Sequence, residues 1–224
     1  MKLIKVLLAE DHQIVREGLR FLLEAEGDIA ICGEAETGRD AVRMAEELQP
    51  DIVLMDIAMP HLNGLEASRQ ILASHPHIRI LILSAHEDDA YLEHALDIGV
   101  AGFLIKQTSF SMLTKAIRII ATGKSYFCPS VAKHLAEYEK GAGQGSVHKR
   151  HGSQLTARES EVLQLIAEGM ANKQTASELG ISIKTVEKHR QALMDKLNLH
   201  DTAGLTRYAI AAGVIESSAQ STTD

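Results

Sequence analysis

The chain has 224 residues, 45% of them hydrophobic, and a formal net charge of −7. That is enough apolar material for one large domain or two small ones, and the overall balance argues against general nucleic-acid binding. Cys32 and Cys128 lack metal-type spacing, the N-terminus turns acidic too soon for a signal peptide, and no stretch could span a bilayer, so a reduced cytoplasmic protein is expected.

The charge is unevenly spread. Residues 1–122 carry 11 Lys and Arg against 19 Asp and Glu, a net −8, whereas residues 123–152 are net +3 and residues 153–224 net −2. Contact with DNA must therefore rest on a local patch.

Along the first half, apolar runs recur as IKVLLA (4–9), DIAICG (28–33), DIVLMD (51–56), IRILILS (78–84) and VAGFLIK (100–106). Segments of helical period separate them. In the first, Ile14, Val15, Leu19, Leu22 and Leu23 predict a buried stripe; the later ones cover roughly 38–48, 64–73, 88–97 and 109–121. Continuous apolar strands alternating with helices predict a five-stranded, doubly wound parallel α/β sheet over residues 1–122. His75-Pro76-His77 precedes the fourth strand and reads as loop.

Residues 123–152 read as a linker, with a short helix over 130–139 and then the glycine-rich, basic GAGQGSVHKRHGS. Beyond it, residues 153–216 carry short helical patterns, predicting a small all-α domain of four helices. Thr156-x-x-Glu159 is a capping box, a second helix ends at Gly180, Ser182 caps a third, and DTAGLTRYAIAAGVI makes the fourth. Residues 217–224 read as a disordered tail.

Strand ends carry the chemistry. In a sheet of order 2-1-3-4-5, Glu10 and Asp11 after the first strand converge on Asp56 at the end of the third. Three carboxylates a few ångströms apart repel, and oxygen donors of this kind suit Mg²⁺. Ser84 ends the fourth strand and Lys106 the fifth, adding a hydroxyl and a compact cation. That set suits phosphoryl transfer to Asp56. His86, two residues past Ser84, reads as a solvated loop histidine.

The set Glu10-Asp11, LMDIAMPHLNG around Asp56, Ser84 and GFLIK with Lys106 resembles the receiver domain of bacterial two-component response regulators. The resemblance implies that Asp56 accepts phosphate from a sensor histidine kinase. It implies Mg²⁺ held by Glu10, Asp11, Asp56 and the backbone carbonyl of Ala58. It makes Ser84 a contact to the phosphoryl group and Phe103 the aromatic switch that follows Ser84. Here Glu, Ser and Phe stand where the family also uses Asp, Thr and Tyr.

In the second half, ANKQTASELG-IS-IKTVEKHRQALMDKL has the layout of a helix-turn-helix. Val186, Leu193 and Leu197 form a buried stripe, and Lys184, Glu187, Lys188 and Gln191 share another face suited to the major groove. Lys184 and Thr185 at the helix start suit phosphate. The stretch LTARESEVLQLIAEGMANKQTASELGISIKTVEKHRQALMDKLNL resembles the LuxR-type helix-turn-helix, which places His189 and Arg190 near DNA as well, either packed or bound to phosphate. Met170-Ala171 and Gln174 depart from the usual pattern. The last helix resembles the one that pairs two such domains.

Together the halves resemble a response regulator of the NarL/FixJ class: a phosphorylation-gated transcription factor rather than an enzyme. Its expected partners are a kinase, promoter half-sites and a second copy on DNA, with RNA polymerase a further candidate and no membrane. The alternatives are a phosphate-independent DNA-binding regulator governed by protein contacts, and an aspartyl-phosphate phosphohydrolase. Ala58 weighs against the last, because such enzymes carry a second acid two residues after the nucleophile.

Overall fold

The computed structural model describes residues 3–85, 89–127 and 155–215, which fall into two compact units divided between 127 and 155. The predicted linker helix, Cys128, His86 and the tail lie outside the described residues.

The first unit alternates strands and helices: β1 (Ile4–Ala9), α1 (Gln13–Ala25), β2 (Ile29–Ala35), α2 (Gly38–Leu48), β3 (Ile52–Asp56), α3 (Gly64–Ser74), β4 (Arg79–Ser84), α4 (Asp89–Ile98), β5 (Gly102–Ile105), α5 (Phe110–Ala121) and β6 (Tyr126–Phe127). All strands pair in parallel, in the order β2-β1-β3-β4-β5-β6. The strands of the interior read as unbroken apolar runs because both sheet faces are covered; every residue of β3 and β5 is buried. Each fully buried Ile or Leu there contributes about 1.5–3 kcal/mol.

Among the described residues the sheet has six strands, where the sequence predicts five. Tyr126 and Phe127 pair with Gly102 and Phe103, inside the stretch read as linker. A two-residue strand is too short to show a period, so nothing local announces it.

Helix α1 also differs from its expected stripe. Leu23 is buried and Leu19 packs on the core, but Ile14 is 87% exposed, and Val15 and Leu22 are exposed too. The inward row is instead Arg16, Leu19 and Leu23, at i, i+3 and i+7, with a buried arginine in the place nearest the strand ends.

Caps set the other helix starts. Thr37 accepts from the Asp40 amide, and Asn63 from the Glu66 amide. Between β3 and α3 the chain folds back so tightly that a Cβ on Gly64 would lie 1.8 Å from the Asp56 carbonyl oxygen. Only glycine permits that approach, which pins the loop following Asp56.

The second unit contains α6 (Ala157–Ala167), α7 (Asn172–Glu178), α8 (Ile183–Leu197) and α9 (Thr202–Ala211), the four helices expected. The capping box of Thr156 and Glu159 is formed, and Ser182 accepts from the Thr185 amide. Gly180, at φ +62°, takes the left-handed conformation that turns α7 towards α8. Val186 and Leu193 are fully buried with Val162, Leu165 and Leu205, and Leu197 packs beside them. Gln174, one of the departures in the motif, accepts from the Ala171 amide and so caps α7.

Candidate functional site

Register brings the strand ends level. Ala9 pairs with Met55, Asp56 with Leu83, and Ser84 with Ile105. Glu10, Asp11, Asp56 and Lys106 therefore meet at the carboxyl edge of the sheet, as their positions at strand ends predict. Glu10 and Asp56 are buried, at 2% and 3% exposure, and Asp11 is half-buried. Lys106 Nζ bridges the two buried acids, 2.9 Å from Asp56 Oδ2 and 2.8 Å from Glu10 Oε2.

His12 joins this cluster, and the sequence reading gave it no role. Its Nδ1 lies 2.9 Å from Asp11 Oδ1 and 3.1 Å from Glu10 Oε1. Ligand atoms of Glu10, Asp11, His12 and Asp56 all fall within 4.8 Å of one another. The available signal was adjacency, since His12 directly follows the acidic pair in AEDH. Asp11, ahead of Glu10, raises the pKa of the exposed imidazole.

Burial raises the Asp56 carboxyl to about 6; Glu10 pushes the same way and Lys106 opposes. Burial works against the Lys106 ammonium, but Asp56 and Glu10 outweigh it, and its pKa is raised. The raised carboxyl value has a consequence for stability. A group whose pKa is higher in the folded state stabilises the fold below its unfolded value, near 3.8, and that contribution is lost as pH rises through about 6. In EDTA, the thermal midpoint of Asp56→Asn should therefore gain on wild type between pH 4 and 7. The corresponding gain in unfolding free energy should be on the order of 2–3 kcal/mol. A difference between the two proteins that stays constant with pH contradicts the raised value.

The cluster fits a hard divalent cation. Glu10 Oε2 and Asp11 Oδ1 are buried and accept no well-aligned hydrogen bond, although Lys106 and His12 stand at ion-pair distance. With Asp56 they gather carboxylate oxygens, the ligand type that Mg²⁺ takes, within 4.8 Å of one another beside the His12 imidazole.

The remaining predicted residues flank this cluster. Ser84 is buried at the end of β4, and its carbonyl accepts from the Lys106 amide at 2.7 Å. Ala58 lies half-buried in the loop between β3 and α3. Phe103 is buried in β5, paired in register with Ile82 on one side and Phe127 on the other.

In the second unit, Lys184, Glu187, Lys188 and Gln191 are exposed along α8, whereas Thr185, His189 and Arg190 are half-buried. Gln191 donates to Asp195, and Thr185 bonds Ser182 at the helix start. Arg190 is engaged within its own unit, donating to Asn172 Oδ1 at 3.3 Å and to Thr202 Oγ1. It ties α8 to the first residues of α7 and α9. Side-chain pairing between helices leaves no trace in local sequence, so a motif match alone places this arginine only near DNA.

Comparison with known proteins agrees with both halves. Residues 6–118 match the response regulator receiver domain, and residues 153–209 the bacterial regulatory proteins of the luxR family. The chain is 34% identical over 210 residues to the transcriptional regulatory protein DegU of Brevibacillus brevis, covering 88% of this chain and 89% of DegU. It is 36% identical over 213 residues to the response regulator VraR of Staphylococcus aureus, covering 95% and 99%. RcsB of Salmonella enterica serovar Typhimurium, solved bound to the promoter rprA with the phosphomimetic BeF₃⁻, matches at 28% identity and TM-score 0.57, covering 92% of this chain and 98% of that one. A further RcsB structure, with the same identity and TM-score, holds two dimers on two parallel DNAs. The chain belongs to the NarL/FixJ class of two-component response regulators, in which a receiver domain is joined to a LuxR-type DNA-binding domain.

Proposed function

We propose that phosphorylation of Asp56 gates DNA binding by this regulator. The observation that carries the reading is the buried contact of Lys106 with both Asp56 and Glu10, beside carboxylate oxygens that accept no aligned hydrogen bond. An Asp56 oxygen forms the new bond to phosphorus as the bond from phosphorus to the donor imidazole nitrogen of a sensor histidine kinase breaks. The imidazole keeps the electron pair and takes up a proton. Lys106 is placed to neutralise the arriving phosphoryl oxygens, and the Ser84 hydroxyl to receive one of them. Glu10, Asp11, Asp56 and the Ala58 carbonyl are the residues that would hold Mg²⁺, which offsets charge on the phosphoryl group when bound.

Acyl phosphate on Asp56 then shifts the receiver between two states, with Phe103 following Ser84, and favours a dimer on paired half-sites. Lys184, Thr185, Glu187, Lys188 and Gln191 present the reading face of α8, with His189 beside it. The RcsB complexes, one on a promoter with a phosphomimetic and one as dimers on DNA, support DNA binding and dimerisation by family likeness. Work on DNA places the protein in the cytoplasm. The domains run from 1 to 122 and from 153 to 216, with β6 extending the first sheet beyond that boundary.

The reading is tested by the intact mass of the full chain after incubation with acetyl phosphate and Mg²⁺. A gain of one phosphoryl group is expected. No gain, or continuing release of phosphate from added esters, would overturn it in favour of phosphate-independent control or hydrolysis.

A further inference from the structure

Glu10 and Asp11 are consecutive, yet both reach the pocket. In a strand, successive side chains point to opposite faces, so this pair can converge only where the chain leaves strand geometry. β1 ends at Ala9. The Glu10 amide still donates to the Ala35 carbonyl, continuing the ladder, but its carbonyl has turned away from the sheet. That carbonyl accepts from Arg16 Nη1 at 2.7 Å, and the Asp11 carbonyl lies 3.5 Å from the same nitrogen.

Arg16 is itself buried, at 7% exposure, on the inward row of α1. Two carboxylates at the end of β2 balance its charge. Nη2 donates to Glu36 Oε1 at 2.6 Å, and Nε lies 3.5 Å from Glu34 Oε2, while Arg20 Nη1 takes the other oxygen, Glu34 Oε1. The planar fork thus joins three elements at fixed angles, a task the point charge of lysine cannot reproduce. Arg16 is buried but its partners reach the surface, Glu36 at 69% and Glu34 at 27% exposure, so solvent screens the pairs and they contribute little net stability; their use lies in fixing one arrangement.

We propose that Arg16 is a positioning residue for the cation site. Its guanidinium holds the turn between β1 and α1 in the conformation that points both Glu10 and Asp11 at Asp56. It touches neither the cation nor the phosphoryl group, and acts only through the backbone of the two acids. This inference rests on the phosphoacceptor reading above and adds a residue to it.

The test compares full-length wild type, Arg16→Met and Arg16→Lys. Mg²⁺ binding is measured by calorimetry, the half-saturating Mg²⁺ concentration by acetyl phosphate labelling, and the fold by thermal melting in EDTA. Arg16→Met should raise the Mg²⁺ dissociation constant and the half-saturating concentration about tenfold, with the labelling rate at saturating Mg²⁺ kept within twofold. A merely structural residue would lower the melting point without that selective shift. Arg16→Lys, which retains charge and bulk, should fold and show a smaller shift in the same direction, and it carries the test if Arg16→Met does not fold. Mg²⁺ affinity equal to wild type in a folded variant overturns the role of Arg16 while leaving the phosphoacceptor reading intact. A wild type that takes no phosphoryl group at any Mg²⁺ concentration sinks that reading instead.

Discussion

Asp56→Asn should leave the intact mass unchanged after incubation with acetyl phosphate and Mg²⁺, whereas the wild type gains one phosphoryl group. The carboxamide oxygen is a poor nucleophile, and the substitution removes one of three clustered carboxylates from the cation site. It also frees Lys106 from one of its two partners while leaving Glu10 at 2.8 Å, so the lysine stays in place. The amide has nearly the shape of the acid, and losing a buried negative charge removes the cost of burial first, and then the repulsion from Glu10, that raise the Asp56 pKa. The variant should therefore fold at least as well as wild type in EDTA, which separates lost chemistry from lost structure. Labelling of Asp56→Asn at the wild-type level would mean that another carboxylate accepts the phosphoryl group.

Lys188→Ala should weaken binding to a DNA fragment selected by the wild-type protein by roughly tenfold, in the range of 1–3 kcal/mol for a lost base contact. Lys188 is exposed on α8, one turn after Lys184, on a helix whose opposite side is fixed by Val186 and Leu193. Its truncation removes no buried contact, so the melting point should hold. Titrations in increasing salt divide the outcome. A base contact changes sequence preference, and a phosphate contact instead lowers the salt slope by about 1. Affinity, preference and slope all unchanged would show that this face of α8 does not read DNA. Arg190→Ala should behave differently, lowering the melting point, because it cuts the ties from α8 to Asn172 and Thr202.

Much of this protein is legible in its sequence, for local reasons. Strands buried on both faces show as apolar runs, and caps such as Thr156 with Glu159 mark helix starts within a few residues. Glu10, Asp11, Asp56 and Lys106 could be placed together because a parallel sheet sends all its strand ends to one edge. What escaped depends on distance along the chain. β6 is two residues whose only signature is its pairing with Gly102 and Phe103. Arg16 looks like part of the solvated face of α1, and only the positions of Glu34 and Glu36 explain its burial. The apolar residues of α1 misled in the opposite sense: Ile14 and Leu22 fit a helical period yet face outwards, at 87% and 43% exposure. His12 was visible beside the acids, but nothing in its spacing showed that its ring turns back onto them.

The central claim is that a phosphoryl group on Asp56 changes how the second unit binds DNA. It is tested most directly by measuring one preparation of the full chain on one selected DNA fragment, before and after acetyl phosphate and Mg²⁺, with Asp56→Asn alongside. The expected result is a tightening of about tenfold in the wild type, within the usual range of coupling between sites, and none in the variant. Equal affinity before and after, in a sample whose mass shows full phosphorylation, would contradict it.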